Sequence, residues 1–146
     1  MKLHDYSGEN FDDQNLSNQD LRAKVFEGAT FYGTNLQNSL LDDCDFYWAH
    51  LYQANLKSAS LKRANLAGAL ADNANFENAD LSNANVGEDA FGKAASICGA
   101  NFLNANLNGT NFKGALFNEK TQFPFGFEPL ANGLICTDRL HRNFGA

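Results

Sequence analysis

The side chains that could perform chemistry in this sequence are few, and their spacing assembles none of the common catalytic sites. The three histidines lie far apart along the chain, and no Ser or Cys is placed beside His50 as a nucleophile partner. The three cysteines lack the short Cys-Cys and His-His spacings of a zinc site. Adjacent carboxylates such as Asp42 and Asp43 are typical of a solvated surface. We therefore predict a protein that is not an enzyme and that holds no metal or cofactor.

The net charge and the cysteine count narrow the classes of partner and the compartment. The chain has 146 residues and a net charge of −6, whereas phosphate binding requires clustered Lys and Arg. No apolar run approaches the roughly 18 residues of a membrane span, and no signal peptide is visible at the start. An odd number of widely spaced cysteines fits reduced thiols. We expect a cytoplasmic protein that binds no nucleic acid directly and no membrane.

The composition excludes the commonest folds. Leu occurs 18 times and Phe 13 times, but Ile and Val occur only twice each, and Asn and Ala each occur 20 times. Asn is unfavourable inside helices and strands, and ordinary sheet proteins use more β-branched residues. These counts argue against a helical bundle and against a common β-sandwich.

A period of five residues runs through most of the chain. Every fifth residue from Tyr6 to Phe91, and again from Ile97 to Phe117 after one extra residue, gives 23 positions, of which 19 are Leu or Phe. We name this the i position. From residue 29 onward, nearly every i−2 residue is Ala, Ser, Thr or Cys, and Asn is frequent at i−1. The period matches neither helix nor strand and predicts a chain that turns a corner with each repeat.

Units such as Ala54-Asn55-Leu56 and Ala74-Asn75-Phe76 resemble the pentapeptide-repeat family, whose unit is A(N/D)(L/F)XX, and in particular its bacterial, cyanobacterial-type members. The resemblance implies an all-β fold, a right-handed quadrilateral β-helix with four repeats to a coil. We expect just under six coils over residues 1–121. Residues 122–146 are expected to form a C-terminal cap, with a short helix at residues 129–134.

The expected stacking of coils also predicts which residues lie above one another. One inward column is expected to contain Leu16, Leu36, Leu56, Phe76 and Ile97. Beside it, stacked Asn side chains are expected to form an amide ladder. The extra residue near Gly92–Ala94 is expected to be a bulge at a corner. Ala71 leaves volume in the core, which Phe91 is expected to fill.

The outward positions provide one candidate site. Two adjacent faces of the expected coil carry most of the acidic residues and nearly all the outward aromatic residues. Because Tyr and Trp are common interface anchors, we predict a protein-binding patch there. An alternative interpretation is that the stacked rings only shield the backbone ladder. The patch comprises Asp12, Tyr32, Tyr47, Trp48, His50, Tyr52 and Asp72.

Two functions remain open at this stage. The first is a rigid interaction module for an unidentified protein partner, acting as a monomer or as a homodimer through one end of the solenoid. The second follows from the resemblance, since some family members mimic duplex DNA and bind DNA gyrase. Against it, the charge of −6 is sparse beside the about 16 charges of a duplex of that length. The expected coils also carry no loop longer than one residue.

Overall fold

The computed structural model describes residues 4–138 and shows a chain wound into a parallel β-solenoid. Single-residue parallel bridges join positions twenty residues apart, from Asp5 with Val25 to Asn65 with Asn85. Residues 1–3 of the predicted 1–121 segment and residues 139–146 of the predicted cap lie outside the described residues. The coil length therefore equals four repeats of five residues.

Asn and Asp at i−1 close the turn that begins each repeat. Asn35 Oδ1 accepts the Gln37 backbone N–H at 3.0 Å, which is an Asx turn. The i+2 residue then adopts the left-handed conformation, as Asn38 does with φ 60°, and Asn tolerates this conformation well. The expected amide ladder also exists, but the bonds from Asn35 to Asn15 and from Asn55 to Asn35 are longer, at 3.4 Å. The turn is therefore the main role of these asparagines.

Leu and Phe at the i position fill the interior, and the small i−2 residues lie at its corners. Phe46 is fully buried; its ring stacks on Phe26 at 5.2 Å and meets Phe31 edge to face at 5.6 Å. The hydrophobic residues of the first coil, such as Phe11 and Leu16, are only partly buried. The described chain thus contains one continuous apolar core that is least covered at its first coil.

The interruption of the repeat is six residues long, not one. Bridges join residues twenty apart up to Asn65 and Asn85, but the next bridge joins Leu70 to Ser96. The additional residues, Asp89–Ala94, form a loop outside the coils, which we name the 89–94 loop. The expected one-residue bulge near Gly92–Ala94 is therefore wrong.

The longer insertion changes which residues stack beyond the fourth coil. Phe91 lies on the loop and is 88% exposed, so the prediction that it fills the space beside Ala71 is wrong. Phe76 stacks on Phe102 at 4.7 Å, and the Ala71 backbone N–H bonds to Ser96 O at 2.7 Å. The expected inward column is therefore wrong in placing Ile97 above Phe76.

The C-terminal segment crosses the last coil and returns to pair with it. Strand β1, Leu116–Phe117, pairs in parallel with strand β2, Ile135–Cys136. A short 3₁₀ helix, Leu130–Asn132, lies between them, within the segment for which a short helix was expected. Between β1 and this helix, Phe123 and Phe127 stack at 5.0 Å and pack against the core. This segment covers the apolar end of the last coil.

Cys44 offers a test of the buried i−2 positions. Its Sγ donates to Leu21 O at 3.0 Å, and burial raises the pKa of the thiol to about 11. The thiolate is the reactive form, so iodoacetamide at mildly alkaline pH should modify the half-buried Cys98 and Cys136 and spare Cys44. Mass spectrometry of the alkylated protein reads this out, with the denatured chain as the control in which all three react. Equal labelling of Cys44 in the folded protein would contradict the burial.

Candidate functional site

Four residues of the predicted patch occupy one column of the solenoid. Asp12 Oδ1 accepts the Tyr32 backbone N–H at 2.8 Å, and Asp72 Oδ1 accepts the Cys98 backbone N–H at 3.1 Å. Tyr52 lies between Tyr32 and Asp72 in the same register. The two carboxylates therefore complete backbone hydrogen bonding above and below the tyrosines. Tyr32 is the more exposed of the two rings, at 46%.

The remaining aromatic residues of the patch form two separate ring contacts. His50 meets Tyr52 edge to face at 5.9 Å and so joins the tyrosine column. Tyr47 and Trp48 stack on each other at 5.5 Å with an interplanar angle of 19°. Among residues 4–138, no ring contact links Tyr47 or Trp48 to Tyr32 or Tyr52. The structure therefore resolves the predicted patch into a tyrosine column and a Tyr47–Trp48 pair.

Asp89, which was not predicted as part of the patch, holds the Tyr47–Trp48 pair. Its Oδ2 accepts hydrogen bonds from Trp48 Nε1 at 2.8 Å and from the Tyr47 hydroxyl at 3.2 Å. Its Oδ1 accepts the backbone N–H groups of Phe91 and Lys93, both at 2.8 Å. One carboxylate thus ties the 89–94 loop to an aromatic pair that lies two coils earlier.

Lys93 makes a second connection between the loop and the coils. Its Nζ donates to Gly68 O at 2.6 Å and lies 4.9 Å from the centroid of the Trp48 ring. A cation over an indole face is attracted by the ring quadrupole. The ammonium group is therefore directed toward the solenoid, where it fixes the base of the loop and covers part of Trp48.

These contacts shift two pKa values in opposite directions. Burial by itself would raise the pKa of Asp89, but hydrogen bonds from the Lys93 and Phe91 backbone, Trp48 and Tyr47 outweigh it, and the pKa is lowered. Burial raises the pKa of Tyr47, and the hydrogen bond to Asp89 raises it further. At neutral pH the contact therefore joins a carboxylate acceptor to a neutral phenol donor.

Gly68 leaves the space in which Trp48 lies. A Cβ on Gly68 would come within 2.7 Å of Trp48 Cδ1 and 2.9 Å of Nε1. Gly68→Ala should therefore displace the indole from Asp89 and shift the emission of Trp48, the single tryptophan, to longer wavelength. Gly28 is a matched control, because it has the same φ of +66° and no atom within 4 Å of its Cβ position. Both variants carry the left-handed strain of about 1–2 kcal/mol, so equal emission spectra would contradict the displacement.

Sequence reasoning missed three residues at this corner: Asp89, Phe91 and Lys93. One signal for the first was present, because from residue 29 onward, where the period requires a small residue at i−2, Asp89 is the only acidic residue at that position. Trp48 itself lies in the left-handed conformation with φ 58°, one coil from Gly68. The loop residues could have been found by asking which hydrogen-bond donors a buried carboxylate would reach.

The rest of the described chain offers no comparable constellation. Within residues 4–138, no group of His, Cys, Asp and Glu side chains is arranged to hold a metal ion. No helix in this part of the chain is long and apolar enough to cross a membrane. The candidate site therefore consists of the tyrosine column and the corner formed by Tyr47, Trp48 and the 89–94 loop.

Comparison with protein-family models gives one match. The model described as pentapeptide repeats matches eight copies, over residues 10–46, 49–86 and 93–119, which is well over half of the chain. The match is interrupted between residues 86 and 93, where the 89–94 loop leaves the coils. No curated protein matches the sequence.

Several solved structures are similar to this chain. A pentapeptide repeat protein (Rfr23) from the cyanobacterium Cyanothece 51142 is 24% identical, with a TM-score of 0.47, over 82% of this chain and 91% of that one. The pentapeptide repeat protein alr5209 from Nostoc PCC 7120 is 26% identical, with a TM-score of 0.41, over 91% and 84%. QnrB1, a plasmid-mediated fluoroquinolone resistance protein, is 18% identical, with a TM-score of 0.43, over 97% and 90%.

Proposed function

Because this chain belongs to the pentapeptide-repeat family, whose fold is a right-handed β-helix, we propose that it is a non-enzymatic module that presents an acidic, aromatic surface to a protein partner. The observation that carries the proposal is the exposure of Tyr32 and Trp48, at 46% and 42%, on fixed coils. Tyr and Trp dominate the binding energy of many interfaces. The proposed surface comprises Asp12, Tyr32, Tyr47, Trp48, His50, Tyr52 and Asp72.

The rigid support of these rings favours binding. The coils beside them are joined by backbone hydrogen bonds, including Phe31 N to His50 O at 2.7 Å and Gly33 N to Tyr52 O at 3.0 Å. Side chains that are ordered before binding lose less conformational entropy when the complex forms, and Tyr and Trp have only two side-chain torsions to fix. A preformed aromatic surface therefore supports the proposed role.

The proposal includes a finer description of the solenoid. We propose a four-sided cross-section and just under six coils, which the turn in every five-residue unit and the twenty-residue register support. We also propose that the solenoid ends at residue 121 and the cap begins at residue 122. A cytoplasmic location stays a prediction, which cell fractionation would test.

The oligomeric state is part of the same proposal. Among residues 4–138 no coil packs on the outer side of the first coil, where residues such as Phe11 and Leu16 are only partly buried. Its i−2 residues Glu9 and Gln14 are polar and exposed, and polar side chains at a sheet edge oppose pairing. We propose a monomer, with a homodimer through this end as the other outcome of light scattering coupled to size-exclusion chromatography.

The test of the proposed surface is a binding measurement with a matched control. A partner is first captured with the wild-type protein from its native host and purified, and its affinity is then measured for the variants. Replacing Trp48 and Tyr52 together with alanine should weaken binding by about tenfold or more. Leu40→Ala removes a side chain that is 40% exposed in a different column and should leave the affinity unchanged. Unchanged binding of the double variant would reject the surface.

One structural observation removes an argument against the DNA-mimic alternative. The 89–94 loop interrupts the coils, so the sequence-based argument that no loop longer than one residue is present no longer counts against it. The net charge of −6 still counts against it. A DNA gyrase supercoiling assay separates the two functions, because inhibition or quinolone protection by the purified protein would favour mimicry, and its absence favours the interaction module.

A further inference from the structure

The tip of the 89–94 loop carries a phenylalanine whose side chain lies outside the core. Phe91 is 88% exposed and makes no ring contact among the described residues. The partly buried hydrophobic residues of the first coil and of the C-terminal segment, in contrast, pack against the core. An aromatic side chain held out into water loses the free energy that burial would supply, about 1.5–3 kcal/mol. Such a residue is a candidate contact for another surface.

The loop below Phe91 is ordered by its own hydrogen bonds. Asp89 N donates to Lys93 O at 2.9 Å, and Gly92 N donates to Asp89 O at 3.1 Å. The Asp89 carboxylate adds the bonds to the Phe91 and Lys93 backbone, both at 2.8 Å. A loop that is already closed loses little conformational entropy on binding. Phe91 is therefore presented in a fixed position rather than on a flexible segment.

The charges around the loop indicate the chemistry of the surface that covers it. The Lys93 ammonium points back to Gly68 O at 2.6 Å, and a second cation beside the loop, Lys113, lies 3.8 Å from the Glu88 carboxylate. Glu27 is exposed and close enough to Tyr47 to contribute to the raised pKa of the phenol. The chain as a whole carries a net charge of −6. A complementary surface is therefore apolar at its centre and basic at its border.

We propose that Phe91 is the anchor residue of the interface, and that it inserts into an apolar pocket bordered by Lys or Arg side chains on a protein partner. This inference rests on the proposed function and assigns its central contact. The Tyr47–Trp48 pair and Asp89 act as the support of the anchor, and the tyrosine column contacts the partner beside it. The match to the family model is interrupted from residue 87 to residue 92, and Phe91 lies within that interruption.

The experiment begins with photo-crosslinking in the native host. Benzoylphenylalanine replaces Phe91 in one sample and Phe125 in another, because Phe125 is also fully exposed, at 108%, but lies on the C-terminal segment. We expect one protein to be cross-linked from position 91 and not from position 125, at a site lined by apolar and basic residues. No adduct from position 91, or the same adduct from both positions, would overturn the proposal.

The cross-linked protein, purified, is then the probe in a binding measurement. Phe91→Ala should weaken its affinity by about tenfold or more, Phe91→Leu should weaken it less, and Phe125→Ala should leave it unchanged. The affinity should also fall as salt concentration rises, since the border is charged. If Phe91→Ala binds like the wild type while the Tyr32→Ala and Tyr52→Ala double variant does not, the anchor is rejected and the proposed function stands. If neither variant weakens binding, both are rejected.

Discussion

Replacing Phe46 with alanine should lower the free energy of unfolding by about 3–5 kcal/mol. The ring is fully buried, stacks on Phe26 at 5.2 Å and meets Phe31 edge to face at 5.6 Å. Its removal leaves a cavity in the middle of the rod, and the coils on either side cannot close it because their backbones are hydrogen-bonded in fixed register. Urea denaturation followed by circular dichroism measures the change.

The matched control is Phe91→Ala, which removes the same side chain from a position that is 88% exposed. It should change the free energy of unfolding by no more than about 0.5 kcal/mol. Each coil of a solenoid contacts only its neighbours, so the Phe46 variant is expected to unfold first around its own coil. A loss below about 1 kcal/mol for Phe46→Ala would contradict the packing described for the core.

Replacing Asp89 with alanine should release the 89–94 loop from the solenoid. The carboxylate accepts four hydrogen bonds, from Trp48, Tyr47, Phe91 and Lys93. Amide hydrogen exchange at Phe91 and Lys93 should accelerate by more than about tenfold, the factor for one lost bond to a charged group. The emission of Trp48 should shift to longer wavelength at the same time.

Two comparisons make the Asp89 result specific. Asp89→Asn keeps one acceptor oxygen and should release the loop less than alanine does, whereas Asp13→Ala alters an exposed carboxylate in the first coil and should leave the loop unchanged. Slow exchange at Phe91 in Asp89→Ala would show that the loop is held by other contacts. Far-UV circular dichroism of each variant establishes that the coils remain folded.

Acid should reproduce the effect of the substitution. The pKa of Asp89 is lowered in the folded protein, so its ionised form is favoured there relative to the unfolded chain. The resulting stabilisation is complete above the ordinary carboxyl pKa of about 3.9 and is lost as the pH falls through the lowered value. The loop should therefore stay attached at mildly acidic pH and detach only in stronger acid.

The period of five was sufficient to predict the fold but not the loop. Insertions of one residue and of six residues shift the phase of a five-residue repeat by the same amount, so the resumption at Ile97 could not distinguish a bulge from a loop. Phe91 reinforced the shorter interpretation, because a phenylalanine at that position matched the i pattern. Only Asp89, a carboxylate at a position reserved for small residues, contradicted it.

The sequence likewise predicted only part of the candidate site. The column that holds Tyr32 and Tyr52 follows from their separation of twenty residues, which equals one coil. The hydrogen bond from Trp48 to Asp89 joins residues 41 positions apart, and the direction of a side chain at a corner is not contained in the period. The exposure of Phe91 could be predicted only once the loop was known, so the five-residue period could not have indicated that exposure.

The coil register also fixes distances along the solenoid axis in steps of one coil. Since each coil advances the chain by one strand spacing, about 4.8 Å, and returns it to the same face, duplicating one coil before Tyr32 would slide the 89–94 loop along the rod with only the small rotation that each repeat adds. The distance between the first coil and the loop can thus change in whole coils while the contacts of the loop are kept. Gene duplication of single coils would adjust the reach of such a protein to its partner without redesigning the surface.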